Sequence, residues 1–161
     1  MRRHITSQSR HPRRGAAMVE FAIVAPVFLT LVIGLLEAGQ ALRAANIMAA
    51  AVREGGRLAA MDWNGFVPEG YTPNEKVISD VRNFLNASGL PGNSATILLV
   101  SAEGADVGEE FELTDPSNTY RLFRVSVQIP YADISTFPST FMAGQTLTSE
   151  LTFRAVRSHA G

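Results

Sequence analysis

The stretch Arg13-Arg14-Gly15-Ala16-Ala17-Met18-Val19-Glu20-Phe21-Ala22-Ile23-Val24-Ala25-Pro26 joins a basic tail to a long apolar run. From Ala16 to Leu36, Glu20 is the only charged residue. At about 1.5 Å per residue the run makes about 32 Å of helix, close to the ~30 Å hydrocarbon core of a bilayer. It reads as a membrane-spanning helix with one carboxylate near its start. That carboxylate is the feature that needs a functional reason.

Charge is distributed unevenly along the 161 residues, although the formal net charge is only -1. Arg2, Arg3, Arg10, Arg13 and Arg14 precede Gly15, and all 15 acidic residues follow it. A basic flank directly before an apolar span predicts a cytoplasmic N-terminus and an acidic remainder outside. The same arginines could suggest nucleic-acid binding, but their position against a span favours a topology signal. A removable secretory signal fits less well. The apolar run exceeds the usual 7–15 residues, contains Glu20 and Pro26, and has no clear small-x-small cleavage site near its end. The chain has no cysteine, so disulfides and thiolate metal sites are excluded.

Beyond Leu36 the helical pattern continues. Glu37 to Met61 is rich in Ala, Leu, Met and Arg and has no proline. Alanine is the best helix former, so a helix over 16–61 is expected, with Gly55-Gly56 weakening its end. Ala41, Ala45 and Ala49 stand four apart, as do Gly55 and Ala59, and Gly56 and Ala60. Such spacing arises by chance in an Ala-rich helix. It also suits close packing against other copies or against the chain's own sheet. Pro26 removes one backbone hydrogen bond and is expected to kink or locally melt the span. Thr30 offers a hydroxyl nearby.

After a Gly/Pro-containing loop from Asp62 to Tyr71, Thr72-Pro73-Asn74-Glu75 has the form of a capping box with Pro at the first helical position. Val77, Ile78, Val81, Phe84 and Leu85 then repeat at helical spacing until Gly89 and Pro91 end the helix. The remainder reads as three strands. Ala95–Ser101 is an apolar run. From Tyr120 to Tyr131, Phe123, Val125, Val127, Ile129 and Tyr131 alternate with Arg124, Ser126 and Gln128. Pro130 marks a strand end or sheet edge. Thr146–Arg157 places Leu147, Leu151, Phe153 and Ala155 inward. The predicted fold is α+β: a long N-terminal transmembrane helix leading into a pilin-like domain with an antiparallel sheet, one face covered by helices. Its parts are a basic leader without fold (1–15), a transmembrane helix (16–36), its extracytoplasmic continuation (37–61) and an α+β domain (62–161).

No catalytic constellation is visible. His4 and His11 lie in the tail and His159 lies near the end, so no Ser/His/Asp set can be drawn through them. Glu103–Glu112 reads as a solvated acidic loop. Glu109, Glu110 and Glu112 could hold a hard cation, but they lack EF-hand spacing. Asn86-Ala87-Ser88 fits a glycosylation sequon, a short pattern with little information. Trp63 reads as a packing residue. No metal, cofactor, nucleic acid or small-molecule substrate is expected.

Gly15 followed by four residues and then Glu20-Phe21 resembles the processing site of type IV prepilins. More closely, Arg14 to Pro26 resembles the opening of the TadE-like family, pseudopilins of the tight-adherence (Flp-type) pilus. Ala51-Val52-Arg53-Glu54-Gly55-Gly56-Arg57-Leu58-Ala59-Ala60 is similar to an Ala-Arg-Glu-Gly-Ala-Arg-type segment of the same family, with Gly56 where Ala is commoner. The resemblance covers about residues 13–61.

It implies a non-catalytic structural or assembly protein in the cytoplasmic membrane. A prepilin peptidase would cut it between Gly15 and Ala16, and its other partners would be pilus or pseudopilin subunits, the assembly platform and membrane lipid. Glu20 and Phe21 would become the fifth and sixth residues of the mature chain and carry recognition or assembly. Glu20 could pair with the new Ala16 amine of a neighbouring subunit. Alternatively it lies near a helix N-terminus, where negative charge is mildly favourable, and snorkels to the interface. An uncleaved, membrane-anchored binding domain and a tethered enzyme using the acidic loop are the competing readings.

Overall fold

A computed structural model describes residues 13–63, 70–136 and 141–155, with side chains from Gly15 onward. The elements run α1 (Arg13–Ala59), α2 (Pro73–Ala87), β1 (Thr96–Ser101), β2 (Leu122–Pro130), α3 (Tyr131–Ile134) and β3 (Thr146–Arg154), with short 3-10 turns at Gly92–Ser94 and Pro116–Asn118. The chain forms two compact units, Met1–Leu36 and Glu37–Gly161.

In the first unit, α1 is apolar on every side. Met18, Phe21, Ile23, Leu31 and Leu35 are all exposed. Its most apolar 18-residue window has a mean hydropathy of 2.4, and none of that window is buried. A helix that is apolar all round and long enough to cross a bilayer has the character of a single-pass membrane anchor. The expected local melting at Pro26 is absent, because the helix continues through it. Pro26 deprives the Ala22 carbonyl of its donor. Thr30 does not replace that donor: its hydroxyl donates to the Pro26 carbonyl at 2.8 Å.

The second unit is a three-stranded antiparallel sheet in the order β1-β2-β3. Leu99 faces Val125 across one ladder, and Val125 faces Leu151 across the other. The central strand buries Phe123, Val125, Val127 and Ile129 completely. Two helices cover that face. From α2 come Val77, Val81 and Leu85, and from α1 come Ala44, Met48, Ala51, Val52 and Ala59. Their small side chains let α1 approach the sheet closely.

α2 begins as its sequence dictates. The Thr72 hydroxyl accepts from the Glu75 amide, and the Glu75 carboxylate accepts from the Thr72 amide at 2.8 Å. Pro130 is the last residue of the central strand, so the strand-end alternative is the one realised. Tyr131 leaves the strand and opens a single helical turn, yet stays fully buried. Trp63 packs against the core cluster.

Some expectations need correction. α1 ends at Ala59, two residues early, and β3 ends at Arg154; Val156 and Arg157 lie outside the described residues. Leu151 is 44% exposed instead of inward-buried, because β3 is an edge strand. Ala45 is exposed, and Ala41 and Ala49 are half-buried, so that Ala row is not the packed stripe of α1.

The acidic stretch is also more than a solvated loop. The Ser101 amide donates to the Glu109 carbonyl at 2.8 Å, and the Phe111 amide donates to the Leu99 carbonyl at 3.0 Å. These bonds cover the outer edge of β1. Phe111 is buried and stacks on Phe123 at 5.1 Å.

Candidate processing and assembly site

Gly15 and Ala16 lie in the first turn of α1 and are exposed. This is where backbone amides lack helical partners and a helix opens most readily. A Cβ built on Gly15 would meet nothing within 4 Å. Among the described residues there is therefore no steric reason for glycine at that position. Arg13 and Arg14 are helical, and Arg2, Arg3, Arg10, His4, His11 and His159 lie outside the described residues.

Glu20 is exposed and, among the described residues, makes no hydrogen bond or ion pair. Phe21 beside it is 72% exposed. A carboxylate inside an apolar helix is costly, by about 2.5–3.5 kcal/mol at a bilayer centre and less toward the interface. The described residues offer nothing to offset that cost.

The Gly55-Gly56 pair has a structural role within the domain. A Cβ on Gly55 would fall 2.4 Å from Val81 Cγ2, and one on Gly56 would fall 2.0 Å from the Phe153 ring. The absence of side chains on the pair lets α1 approach Val81 of α2 and Phe153 of β3 closely. Of the two uses open to the small residues, packing on the chain's own domain is the one seen at Gly55 and Gly56.

Among the described residues no group of three His, Asp or Glu is placed to hold a metal ion. In the acidic stretch, Asp106 is bound instead to Arg121 at 2.5 Å. The same guanidinium donates to the Glu103 carbonyl at 2.8 Å and to Asn118 Oδ1 at 3.2 Å. The hydrogen bond from Arg121 holds the Asp106 carboxyl below its usual range. Glu109, Glu110 and Glu112 are exposed and do not converge with it. Asn86, the residue of the sequon, has its Oδ1 occupied by the Gly92 amide at 2.8 Å.

Sequence reasoning passed over Glu37. This first carboxylate after the apolar run is only 4% exposed. Its Oε2 accepts from the Phe141 amide at 2.9 Å and the Met142 amide at 3.0 Å. Its backbone carbonyl accepts from the Tyr131 hydroxyl at 3.0 Å. A signal was present: Glu37 stands seven residues before Ala44 and fourteen before Ala51, on the stripe that α1 buries.

No curated protein and no solved structure matches this chain. The family model described as TadE-like protein matches residues 15–57. The match begins at the glycine of the candidate processing site and ends one residue past the Gly55-Gly56 contact, and it bears out the resemblance read from Arg14–Pro26 and Ala51–Ala60: over Gly15–Arg57 this chain is similar to the TadE-like family.

Proposed function

We propose that this chain is a TadE-like minor pseudopilin, a membrane-anchored structural component of a tight-adherence (Flp-type) pilus. A prepilin peptidase removes the basic leader by cutting between Gly15 and Ala16 on the cytoplasmic face of the inner membrane. The α+β domain then lies on the extracytoplasmic side. The partners are the peptidase, other pilus subunits and their assembly platform. The chain itself is not an enzyme.

The observation that carries this reading is the family match over 15–57, which spans the span, the glycine and the lone carboxylate. Two physical points support it. Among the described residues Gly15 has no steric reason to be glycine, whereas a residue without a side chain enters a protease cleft easily. Glu20 has no partner among the described residues. Cleavage would create one of opposite charge, the Ala16 amine of a neighbouring copy. The pair would fix the stagger between adjacent membrane helices.

Intact mass and N-terminal sequence of the membrane-extracted protein, with and without the peptidase, test the proposal. A chain starting at Ala16 only when the peptidase is present is the expected result. A chain that keeps its arginine leader in both cases overturns it and leaves an uncleaved anchored domain.

A further inference from the structure

We infer that the free edge of β3 pairs with β3 of a second copy of this chain, antiparallel and centred on Thr152. The inference lies within the α+β domain and does not depend on cleavage after Gly15.

The two edges of the sheet differ. The outer edge of β1 is covered by the Glu109–Phe111 stretch. At the other edge, the Ala155 amide donates to the Arg121 carbonyl at 2.9 Å, and the Tyr131 amide donates to the Gln145 carbonyl at 2.8 Å, both in the register of β2 and β3. In an antiparallel ladder, alternate residues turn both backbone groups to the same neighbour. The odd-numbered residues of β3 therefore face β2. Thr146, Thr148, Glu150, Thr152 and Arg154 turn their amides and carbonyls away from it. Among the described residues nothing pairs with these groups. An uncovered row of this kind is a template for another strand.

The side chains choose the strand and its register. Outward-facing residues have to meet outward-facing residues, so a two-fold axis between two β3 strands passes through a residue. Centred on Glu150, the two carboxylates would stand opposite each other. Centred on Leu151, Glu150 and Arg154 would each face a threonine. Centred on Thr152, Glu150 of each copy faces Arg154 of the other, and Thr152 faces Thr152. Opposite charges and paired threonines stabilise neighbouring strands, and like charges directly opposite destabilise them. On the other face of the sheet, this register sets Leu151, 44% exposed, opposite Phe153 of the second copy, so an apolar side chain left in water gains cover. Other charges lie near. Glu150 is 3.5 Å from Arg124, and Arg154 donates to the Tyr120 carbonyl at 2.9 Å. Both Glu150 and Arg154 are exposed, so each can turn to the second copy. On α1, Arg53 is exposed three residues before Gly56, the residue that meets Phe153. It lies on the same flank, and its long stem lets its charge stay in water.

The absence of cysteine allows a direct test. The full chain carrying Thr152→Cys is purified in mild detergent and treated with copper phenanthroline. Opposed residues of a hydrogen-bonded pair have Cα atoms about 5.5 Å apart, within reach of a disulfide. Thr148→Cys, on the same edge, is the control: in this register the two copies of Thr148 stand about 27 Å apart, at about 3.4 Å per residue. A disulfide-linked dimer from Thr152→Cys and little from Thr148→Cys is the expected result. Adding Glu150→Arg to Thr152→Cys should abolish the dimer. Adding Arg154→Glu as well should restore it, although the contact with Arg124 stays lost. Unfolding followed by the single tryptophan checks that each variant is folded. Thr152→Cys that stays monomeric overturns the inference and leaves the edge to a strand of a different protein. Equal linking at 148 and 152 overturns it too, since collision or association of the apolar helices then brings the chains together. Linking at 152 that ignores the charge reversals, or a folded double reversal that fails to restore it, overturns the pairing of Glu150 with Arg154.

Discussion

Gly56 lies against the ring of Phe153 so closely that a Cβ on the glycine would fall 2.0 Å from two ring carbons. That ring in turn packs on Phe123, with centroids 5.9 Å apart. A methyl group at position 56 therefore has to move a half-buried ring that packs against the core. Gly56→Ala gains about 1 kcal/mol of helix propensity. Overpacking costs about 1–3 kcal/mol, so the net effect is destabilising. Gly39 is the contrasting case, since a Cβ there would meet nothing within 4 Å. Gly39→Ala should stabilise by about 0.5–1 kcal/mol. Urea unfolding in mild detergent, followed by the fluorescence of the single tryptophan, checks both signs.

Asn74 ties the start of α2 to the stretch that covers β1. Its Nδ2 donates to the Phe111 carbonyl at 2.8 Å, and its Oδ1 accepts from the Leu113 amide at 3.0 Å. The residue is buried. Asn74→Ala removes both partners without letting water fully replace them. The expected loss is about 2–3 kcal/mol, the range for orphaned buried polar groups. Amide exchange at Leu113 should accelerate in the variant. Unchanged protection at that amide would show that the bond is not maintained in solution.

Asp106 and Arg121 make one part of the stability depend on pH. Arg121 lowers the carboxyl pKa of Asp106 in the folded chain. A depressed folded value means the unfolded chain binds the proton more readily. The contribution is present in full above the ordinary aspartate range, and it is lost as pH falls through the lowered folded value. The stability gap between the parent chain and Asp106→Asn should be constant from pH 7 to about pH 5 and close on further acidification. A gap that persists unchanged to pH 2 would mean the pair does not titrate in this way. Because the pair is solvent-accessible, salt should narrow the gap as well.

The span, the capping box of α2 and the central strand were legible because each is fixed by local pattern. An apolar run, a Thr-Pro-Asn-Glu start and strict alternation need no knowledge of distant residues. Glu37 and Phe111 were not legible for the opposite reason. Their burial depends on partners far along the chain: Glu37 on amides more than a hundred residues away, and Phe111 on the ring of Phe123. Leu151 alternates as an inward residue should, but its exposure depends on β3 being an edge, which its own sequence does not state. At the candidate site, the sequence marked Gly15, Ala16, Glu20 and Phe21. The fold adds that neither Gly15 nor Glu20 serves a visible contact within the described chain.

That last point separates folding from function at two positions. Gly15→Val adds a side chain where a Cβ meets nothing, so unfolding of the domain should be unchanged. If Gly15 serves the peptidase, the uncut precursor accumulates. Glu20→Gln likewise alters an exposed group with no partner among the described residues, and it should leave domain stability within about 0.5 kcal/mol. If Glu20 pairs with the Ala16 amine of a neighbour, losing an interaction of about 1.4 kcal/mol lowers incorporation about tenfold. Immunoblots of membrane and sheared-surface fractions, read beside adherence, measure both effects. Full cleavage of Gly15→Val would remove the glycine's proposed role. Cleavage, surface assembly and adherence all unchanged in Glu20→Gln would show that the carboxylate only rests near the end of its helix, where a negative charge is mildly favourable.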